Sequence, residues 1–496
     1  MTQPPPAGPV GDVGDLAVGG MFRRDSLYLL VWGLQLGGAA VLTPVFTRFM
    51  SPTEFGGLAT ANAVMQVLFV VAGLGLQTAI QRHYAAKDGR IDASRLLSLS
   101  IVIATTVTLV ADSTGRWWSS ALGFESYGGA LRLAVIWAGV SAITGSALAL
   151  LRSQDRLLAF SCVSLVQSVV AEAASLVLVT TVHPTATMFV LGQLLAQCVA
   201  VTLAVLFTPP RMVRWRDRGL ARAALVFAVP LVPAVLSGFI LSAADRIILQ
   251  SELGQTAVAR YQIAYTIGDA PMLLLGVLNS VWMPRIFAVE GATDRAAVLA
   301  ASRDALYRLL TPVVVGLAFG APLVLQLWAP PAYRPDELLI VNAIVIVCVV
   351  PFAAGQAGTR ALLSAGRTGT IAGAAALAAA TNIALNLILI PHLQLAGSAL
   401  ATLCSYTLLF VVVQLRARII APTTATPPRR LVLLAAAAAV AMLAALLPVS
   451  TGFLVLRGVL AAAFFVWFLR VLRTLSAAPS GPSTSAPVDE GQSMQS

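Results

Sequence analysis

The sequence predicts an all-α integral membrane protein of about fourteen transmembrane helices. Two six-helix lobes related by a pseudo-two-fold axis along the membrane normal are followed by two C-terminal helices. Three observations predict this. The 496 residues are 58% hydrophobic and only 11% charged, with a mean hydropathy of +0.86. Soluble domains run near 25% charged, so this chain could not cover its surface with polar groups. The apolar residues fall in runs of roughly 20, the length a helix needs to cross about 30 Å of hydrocarbon. Finally, the first twelve runs form two similar sets of six. Lipid offers no hydrogen bonds, so each run must satisfy its own backbone as a helix. This composition excludes a disulfide-stapled secreted scaffold, a disordered chain and a cytosolic enzyme.

In chain order, residues 1–25 are rich in Pro and Gly and read as a disordered cytoplasmic N-terminus. An N-lobe over 26–208 holds runs 26–47, 55–80, 96–111, 131–151, 157–182 and 187–208, the third being the shortest. A basic cytoplasmic linker over 209–222 includes Arg211 to Arg222, RMVRWRDRGLAR. A C-lobe over 223–415 holds runs 223–243, 261–283, 305–328, 337–359, 369–390 and 396–415. Runs 431–448 and 452–469 supply the last two spans within 431–469, and 474–496 read as a disordered cytoplasmic tail. Breakers such as Ser51-Pro52 and Pro330-Pro331 separate the runs. Trp117, Trp118, Trp282 and Trp328 sit at span ends, where aromatic rings favour the membrane interface. Pro230, Pro233, Pro271, Pro312, Pro322 and Pro351 interrupt spans of the second lobe, against few prolines such as Pro44 in the first. The four cysteines lie inside apolar runs and read as buried free thiols.

The basic residues orient the chain. With the N-terminus inside, 25 of the 32 basic residues fall on the cytoplasmic side, which puts both termini there. The same bias accounts for the +11 net charge without nucleic acid. The halves repeat. Leu58 to Arg82 and Tyr261 to Arg285 both span 24 residues, each ending a second run in arginine. Leu151-Arg152-Ser153-Gln154-Asp155-Arg156 aligns with Leu362-Leu363-Ser364-Ala365-Gly366-Arg367, the turn after each fourth run. Six spans per repeat is an even number, so the halves share an orientation. In transporters that arrangement places the site near the midplane between lobes.

Several short motifs occur in order. Ser51-Pro52-Thr53-Glu54-Phe55-Gly56 follows the first span, and Gly73-Leu74-Gly75-Leu76-Gln77 ends the second. Asp245-Arg246-Ile247-Ile248-Leu249 and Tyr261-Gln262-Ile263-Ala264-Tyr265 follow the seventh, and Leu395-Ala396-Gly397-Ser398-Ala399-Leu400-Ala401-Thr402 opens the twelfth. Together they resemble the Wzx-type polysaccharide (O-antigen) flippases of the multidrug/oligosaccharidyl-lipid/polysaccharide (MOP) exporter superfamily, over residues 26 to about 415. The resemblance implies a protein of the bacterial plasma membrane. Such a protein moves polyprenyl-pyrophosphate-linked oligosaccharide repeat units to the outer leaflet by alternating access. The expected partners are membrane lipids, a coupling ion (H⁺ or Na⁺) taken up by intramembrane carboxylates, and a polysaccharide polymerase or glycosyltransferases, with no cofactor and no enzymatic step expected. A lipid II flippase and a multidrug or toxin antiporter of the same superfamily are the alternatives. The former is expected to carry arginines within its first span, and many of the latter an acid there. Ser26 to Thr47 has neither. No Walker A sequence or catalytic constellation is present, and the longest outer loop, 112–130, holds only Asp112 and Glu125 as acids.

Charges inside the bilayer are expensive and mark the working residues. Glu172 lies sixteen residues beyond Arg156, roughly 24 Å along the fifth span, on one face with Ser164, Ser168 and Ser175. Asp269 lies nine residues beyond Arg260, roughly 14 Å inward, beside Pro271, which should kink the helix and free carbonyls. Both are candidate ion-coupling carboxylates, with hydrogen-bonded packing or capping as the alternative. Arg48, Arg82, Arg246, Arg285 and Arg360 end spans and are candidate pyrophosphate ligands, since guanidinium suits bidentate phosphate contact. Headgroup snorkelling is the alternative, and Asp245 could simply pair with Arg246. Asn62, Gln66, Gln77, Asn382 and Asn386 are candidate sugar contacts or interhelical hydrogen bonds. The charge bias makes a direct prediction. Reporter fusions after Arg95, Arg218 and Arg430 should report cytoplasm, and one at Gly123 the outside. A periplasmic signal at Arg218 would overturn the orientation.

Overall fold

The computed structural model describes residues 42–476, apart from 86–88, 123, 125, 213–217, 288, 290 and 421–426. Of the expected disordered tail 474–496, residues 474–476 are not disordered but end the last helix. Residues 477–496, the expected N-terminal segment 1–25 and most of the first expected span lie outside the described residues. That span's end is helical over 42–49 (α1). The N-lobe continues with α2 (Pro52–Gly73), α3 (Leu76–Tyr84), α4 (Gly89–Ser113) and the short α5 (Gly115–Ala121). It ends with α6 (Gly129–Ser153), α7 (Leu157–Thr181) and α8 (Ala186–Phe207). The C-lobe comprises α9 (Arg218–Ala228), α10 (Val232–Leu253), α11 (Gln255–Gly268), α12 (Ala270–Phe287), α13 (Ala292–Trp328), α14 (Leu339–Ser364) and α15 (Thr368–Ile420). A hairpin of α16 (Pro428–Leu446) and α17 (Thr451–Ser476) completes the chain.

Eleven described helices are long and apolar enough to cross a membrane. Three observations account for the difference from about fourteen. The 53-residue α15 holds two of the expected spans, folded back on each other at Gln394, where φ is 50° and ψ −129°. The eighth span is split into α11 and α12 at Asp269. The first lies outside the described residues. The third span, read as short, is the 25-residue α4, lengthened by a polar first turn that hydropathy does not count. Arg218 opens α9 within the stretch expected as linker. Pro312, Pro322 and Pro351 do not interrupt helices as expected but sit inside continuous α13 and α14. Pro230 does sit in a break, the 3₁₀ turn Val229–Leu231 between α9 and α10. Three of the four cysteines expected to be buried, Cys162, Cys198 and Cys404, are exposed on the outer surface, and Cys348 alone is buried.

Small residues set the packing, as they must where lipid removes the hydrophobic drive between helices. A Cβ on Gly139 would lie 1.9 Å from Thr108 Oγ1, so α6 rests directly on α4. A Cβ on Gly192 would lie 2.5 Å from the Ser175 backbone, so α8 rests on α7. Gly397 does the same inside α15, where a Cβ would meet the Leu389 carbonyl at 2.4 Å and hold its two halves apart.

The repeat is visible in backbone detail. After α6, Arg156 N–H donates to the Leu151 carbonyl at 3.1 Å, and after α14, Arg367 N–H donates to the Leu362 carbonyl at 2.9 Å. Between them sit two left-handed residues at the aligned position, Asp155 with φ 54° and Gly366 with φ 70°.

The lobes meet along the start of α2. Ser51 caps this helix by accepting from Glu54 N–H at 3.2 Å, and Pro52 opens it. Gly56 gives α2 its close approach to α11: a Cβ there would lie 1.8 Å from the Gln255 carbonyl. Thr60 Oγ1 donates to Gln250 Oε1 at 3.2 Å, and the hydroxyls of Thr53 and Thr256 lie 3.4 Å apart. Thr47 donates to the Trp328 carbonyl at 2.6 Å and Tyr333 to the Met50 carbonyl at 3.0 Å. This seam closes the side away from the basic linker. On the linker side α9 reaches across to α3 and lays Phe227 4.2 Å beneath Arg82. The seam yields a prediction. In a background with the native cysteines replaced by serine, Thr53→Cys with Thr256→Cys should cross-link on oxidation. Adding Gly56→Val should cut that yield several-fold. Full cross-linking with Gly56→Val would contradict the close approach.

Candidate functional site

Among the described residues, three groups of polar side chains surround predicted charges that are buried or half-buried. The first is built around the break in the eighth span. Pro271 has no N–H to offer the Ile267 carbonyl, so the helix stops and restarts at Asp269. The Asp269 carbonyl accepts from Met272 and Leu273 N–H at 2.8 and 3.1 Å. From α14, Asn342 Nδ2 donates to the Ala264 carbonyl at 2.7 Å, which anchors the segment before the break. Facing it on α10, Asp245 and Arg246 are buried at 1% and 5% exposure. Asp245 Oδ1 accepts from Arg246 Nη1 at 2.7 Å, and Oδ2 from Tyr261 Oη at 2.7 Å. Arg246 Nε donates to Gln262 Oε1 at 3.0 Å, and its Nη1 also donates to the Ser242 carbonyl. The guanidinium lies 3.9 Å over the Tyr265 ring. Asp269, one turn beyond Tyr265, interacts electrostatically with both Arg246 and Tyr265. The cluster thus holds two carboxylates and one guanidinium.

The second group surrounds Arg360, which is 1% exposed on α14. Its Nη1 donates to Ser302 Oγ on α13 at 3.0 Å, and its Nη2 to Asn279 Oδ1 on α12. Asn279 Nδ2 donates in turn to Gln356 Oε1 at 3.1 Å. The guanidinium lies 5.6 Å from the buried Trp282 ring, and Nε has no hydrogen-bond partner. Among the described residues, the groups that bond Arg360 are all neutral.

The third is in the N-lobe. Val166–Val170 of α7 form a π-helical turn just before Glu172. That turn shifts the helical register, so the predicted serine stripe is not one continuous face. Ser164 and Ser175 are buried, and Ser168 and Glu172 are half-buried. Ser175 donates across to the Phe189 carbonyl at 2.9 Å, which makes it a packing residue. Gln193 of α8 lies beside the Glu172 carboxyl, whose Oε2 is buried without a partner. One turn along α8, Gln197 Nε2 donates to Thr144 Oγ1 at 2.8 Å.

The other predicted residues are dispersed. Arg48 is exposed at the outer seam and donates to the Leu327 carbonyl at 3.3 Å. Arg82 is exposed and stacked on Phe227. The side chain of Arg285 lies outside the described residues. Asn62 Oδ1 is buried without a partner, and Gln66 and Gln77 are half-buried. Asn382 and Asn386 are fully buried between the halves of α15. Asn386 Nδ2 donates to Asn382 Oδ1 at 3.1 Å, and Asn382 Nδ2 to Thr402 Oγ1 at 3.4 Å. Sequence reasoning missed Tyr261, Asn279, Ser302, Gln356 and Gln193. Their only sequence signal is a polar residue inside an apolar run.

Comparison with known proteins fits this architecture. Residues 45–329 match the polysaccharide biosynthesis protein family. The structure resembles that of the lipid II flippase MurJ in an inward closed conformation, with TM-score 0.68 and 12% identity, covering 90% of this chain and 99% of that one. It also resembles an inward-facing multidrug resistance MATE family transporter of the MOP superfamily, with TM-score 0.66 and 13% identity, covering 83% and 98%. A MOP superfamily transporter from Pyrococcus furiosus, described by the reverse polarity of its binding pocket, matches with TM-score 0.57 and 13% identity, covering 84% and 99%. No protein of curated function matches the sequence. The chain belongs to the polysaccharide biosynthesis protein family and has the two-lobe, all-helical fold of the MOP transporters.

Proposed function

We propose that the protein flips polyprenyl-pyrophosphate-linked oligosaccharide repeat units from the inner to the outer leaflet of a bacterial plasma membrane. In this reading both termini are cytoplasmic, and lobes 26–208 and 223–415 alternate access to the substrate. The family match and the transporter fold support a lipid-linked flippase. The observation that carries the finer reading is Arg360. Among the described residues, neutral groups alone bond this buried guanidinium, and a cation taken out of water in that way is costly unless an anion arrives. A pyrophosphate is such an anion, and bidentate contact with guanidinium is strong. Arg246 is less available, because Asp245 already neutralises it. Arg48 and Arg82 lie at the rims, where they can meet the substrate on arrival or departure.

The rest of the substrate sets the remaining roles. The polyprenyl tail stays in lipid. The glycan needs hydrogen-bonding groups along its path, and Asn62, Gln66 and Gln77 offer them. Asn382 and Asn386 are engaged between helices and serve packing in this state. Moving the head group makes and breaks no covalent bond, so no catalytic residue is required. Repeated transport does require a bias. Asp269 leaves its cluster with one more carboxylate than guanidinium, and Glu172 has a buried oxygen without a partner. Binding H⁺ or Na⁺ at either one removes the cost of the charge and so favours one closure of the lobes. The same transport would hand its product to a polysaccharide polymerase or glycosyltransferases outside.

Two results test this reading in proteoliposomes holding a short-chain lipid-linked repeat unit. Arg360→Gln should lower transport about 10- to 100-fold, the worth of a hydrogen bond to a charged group, while Arg360→Lys keeps part of it. Transport of lipid II in place of the repeat unit would reject the substrate assignment. Glu172→Gln and Asp269→Asn should both fold, and at least one should lose the dependence of rate on the pH or Na⁺ gradient. An unchanged gradient response in both would reject coupling at these residues and leave consumption of product as the driving force.

A further inference from the structure

A cavity of about 670 Å³ opens on the outer surface of the N-lobe, at the turn from α6 to α7 and against the end of α8. It lies on the side of the basic linker, away from the groups already described. Its walls divide by chemistry. Leu157 and Leu158, 53% and 89% exposed, and the exposed Cys162 form an apolar wall. Asp155 and Arg156 form an ionic rim where α7 begins. Arg156 is held in place: its Nη1 donates to the Phe207 carbonyl, and its guanidinium lies 5.7 Å from the Phe207 ring. No ion pair within 4.0 Å joins Asp155 to Arg156, so the rim presents one charge of each sign side by side.

The carboxylate is the informative residue. Asp155 has φ 54°, a left-handed conformation that glycine adopts at least cost. The aligned turn of the second lobe has the same hydrogen bonds and places glycine there, Gly366 with φ 70°. The turn therefore does not need an aspartate, although aspartate is one of the few other residues that adopt this conformation. A second observation is the setting: a fixed guanidinium on one side and an open apolar wall below, at a helix end where lipid headgroups lie.

We infer that this cavity holds a phospholipid whose headgroup carries both a phosphate and a primary ammonium, phosphatidylethanolamine. The phosphate meets Arg156, the ammonium donates to Asp155, and the acyl chains lie along Leu157, Leu158 and Cys162. An anionic headgroup such as phosphatidylglycerol would satisfy Arg156 and be repelled by Asp155. The quaternary ammonium of phosphatidylcholine has no N–H for the carboxylate. The inference is independent of the transported substrate.

Asp155→Gly is the decisive variant, because the second lobe shows that glycine fits this turn. Full-length protein in nanodiscs of mixed phosphatidylethanolamine and phosphatidylglycerol is analysed by native mass spectrometry for retained lipid. The wild type should retain phosphatidylethanolamine at least three-fold over phosphatidylglycerol. Asp155→Gly should erase that preference, and Arg156→Gln should lower retention of both lipids. A second measurement localises the effect. With Cys198, Cys348 and Cys404 replaced by serine, maleimide labelling of Cys162 should be slower in phosphatidylethanolamine than in phosphatidylglycerol nanodiscs, and equal in both with Asp155→Gly. A retained-lipid ratio unchanged by Asp155→Gly, or Cys162 labelling indifferent to the headgroup, would overturn the inference.

Discussion

A guanidinium inside a bilayer needs partners that replace water, and the C-lobe meets that constraint in two ways. Arg246 is held by a carboxylate, a carbonyl, an amide and an aromatic face. Arg360 is held by an amide, a hydroxyl and an indole, none of them charged. The first cation is balanced where it lies and ties α10 to α11. The second is solvated by neutral groups, and among the described residues no carboxylate bonds it, which is why the anion site is proposed there. The path proposed for a pyrophosphate follows from this difference between two buried arginines, which charge counting treats as equal.

The same constraint shapes the frame around them. Backbone groups in lipid must be satisfied locally, so breaks in helices are confined to places where other groups take over. The eighth span breaks at Asp269, and the N-terminal side of that break is anchored by Asn342. The seventh breaks at Val229–Leu231, between a segment docked on the N-lobe and one packed in the C-lobe. The fifth carries a π-turn next to Glu172, a feature common at functional sites. Around these breaks the helices are continuous and fixed by glycine contacts. The two seventh-span segments therefore have different neighbours.

Much of the frame was legible in the sequence. Run length and composition identify the spans, and the aligned turns at Asp155 and Gly366 agree in φ and hydrogen bonding, as a duplicated lobe requires. Hydropathy reads transfer from water to lipid, however, and not partners. It could not separate Arg246 from Arg360, because pairing depends on which helix faces which. It did separate the two halves of α15, since the gap between runs 369–390 and 396–415 brackets the fold-back at Gln394. It overstated the prolines of α13 and α14, since neighbouring helices support a continuous helix around them. The exposed cysteines illustrate the same limit: an apolar residue in a membrane protein is buried in lipid as readily as in protein.

The central claim is that the cationic centre at Arg360, and not the ion pair at Asp245 and Arg246, binds the pyrophosphate. The most direct measurement is calorimetric titration of purified protein in detergent with a short-chain polyprenyl pyrophosphate. The account predicts that Arg360→Gln weakens binding at least ten-fold, while the charge-neutral double variant Asp245→Asn with Arg246→Gln binds within about three-fold of wild type. Unchanged affinity in Arg360→Gln, or affinity lost only in the double variant, would contradict it.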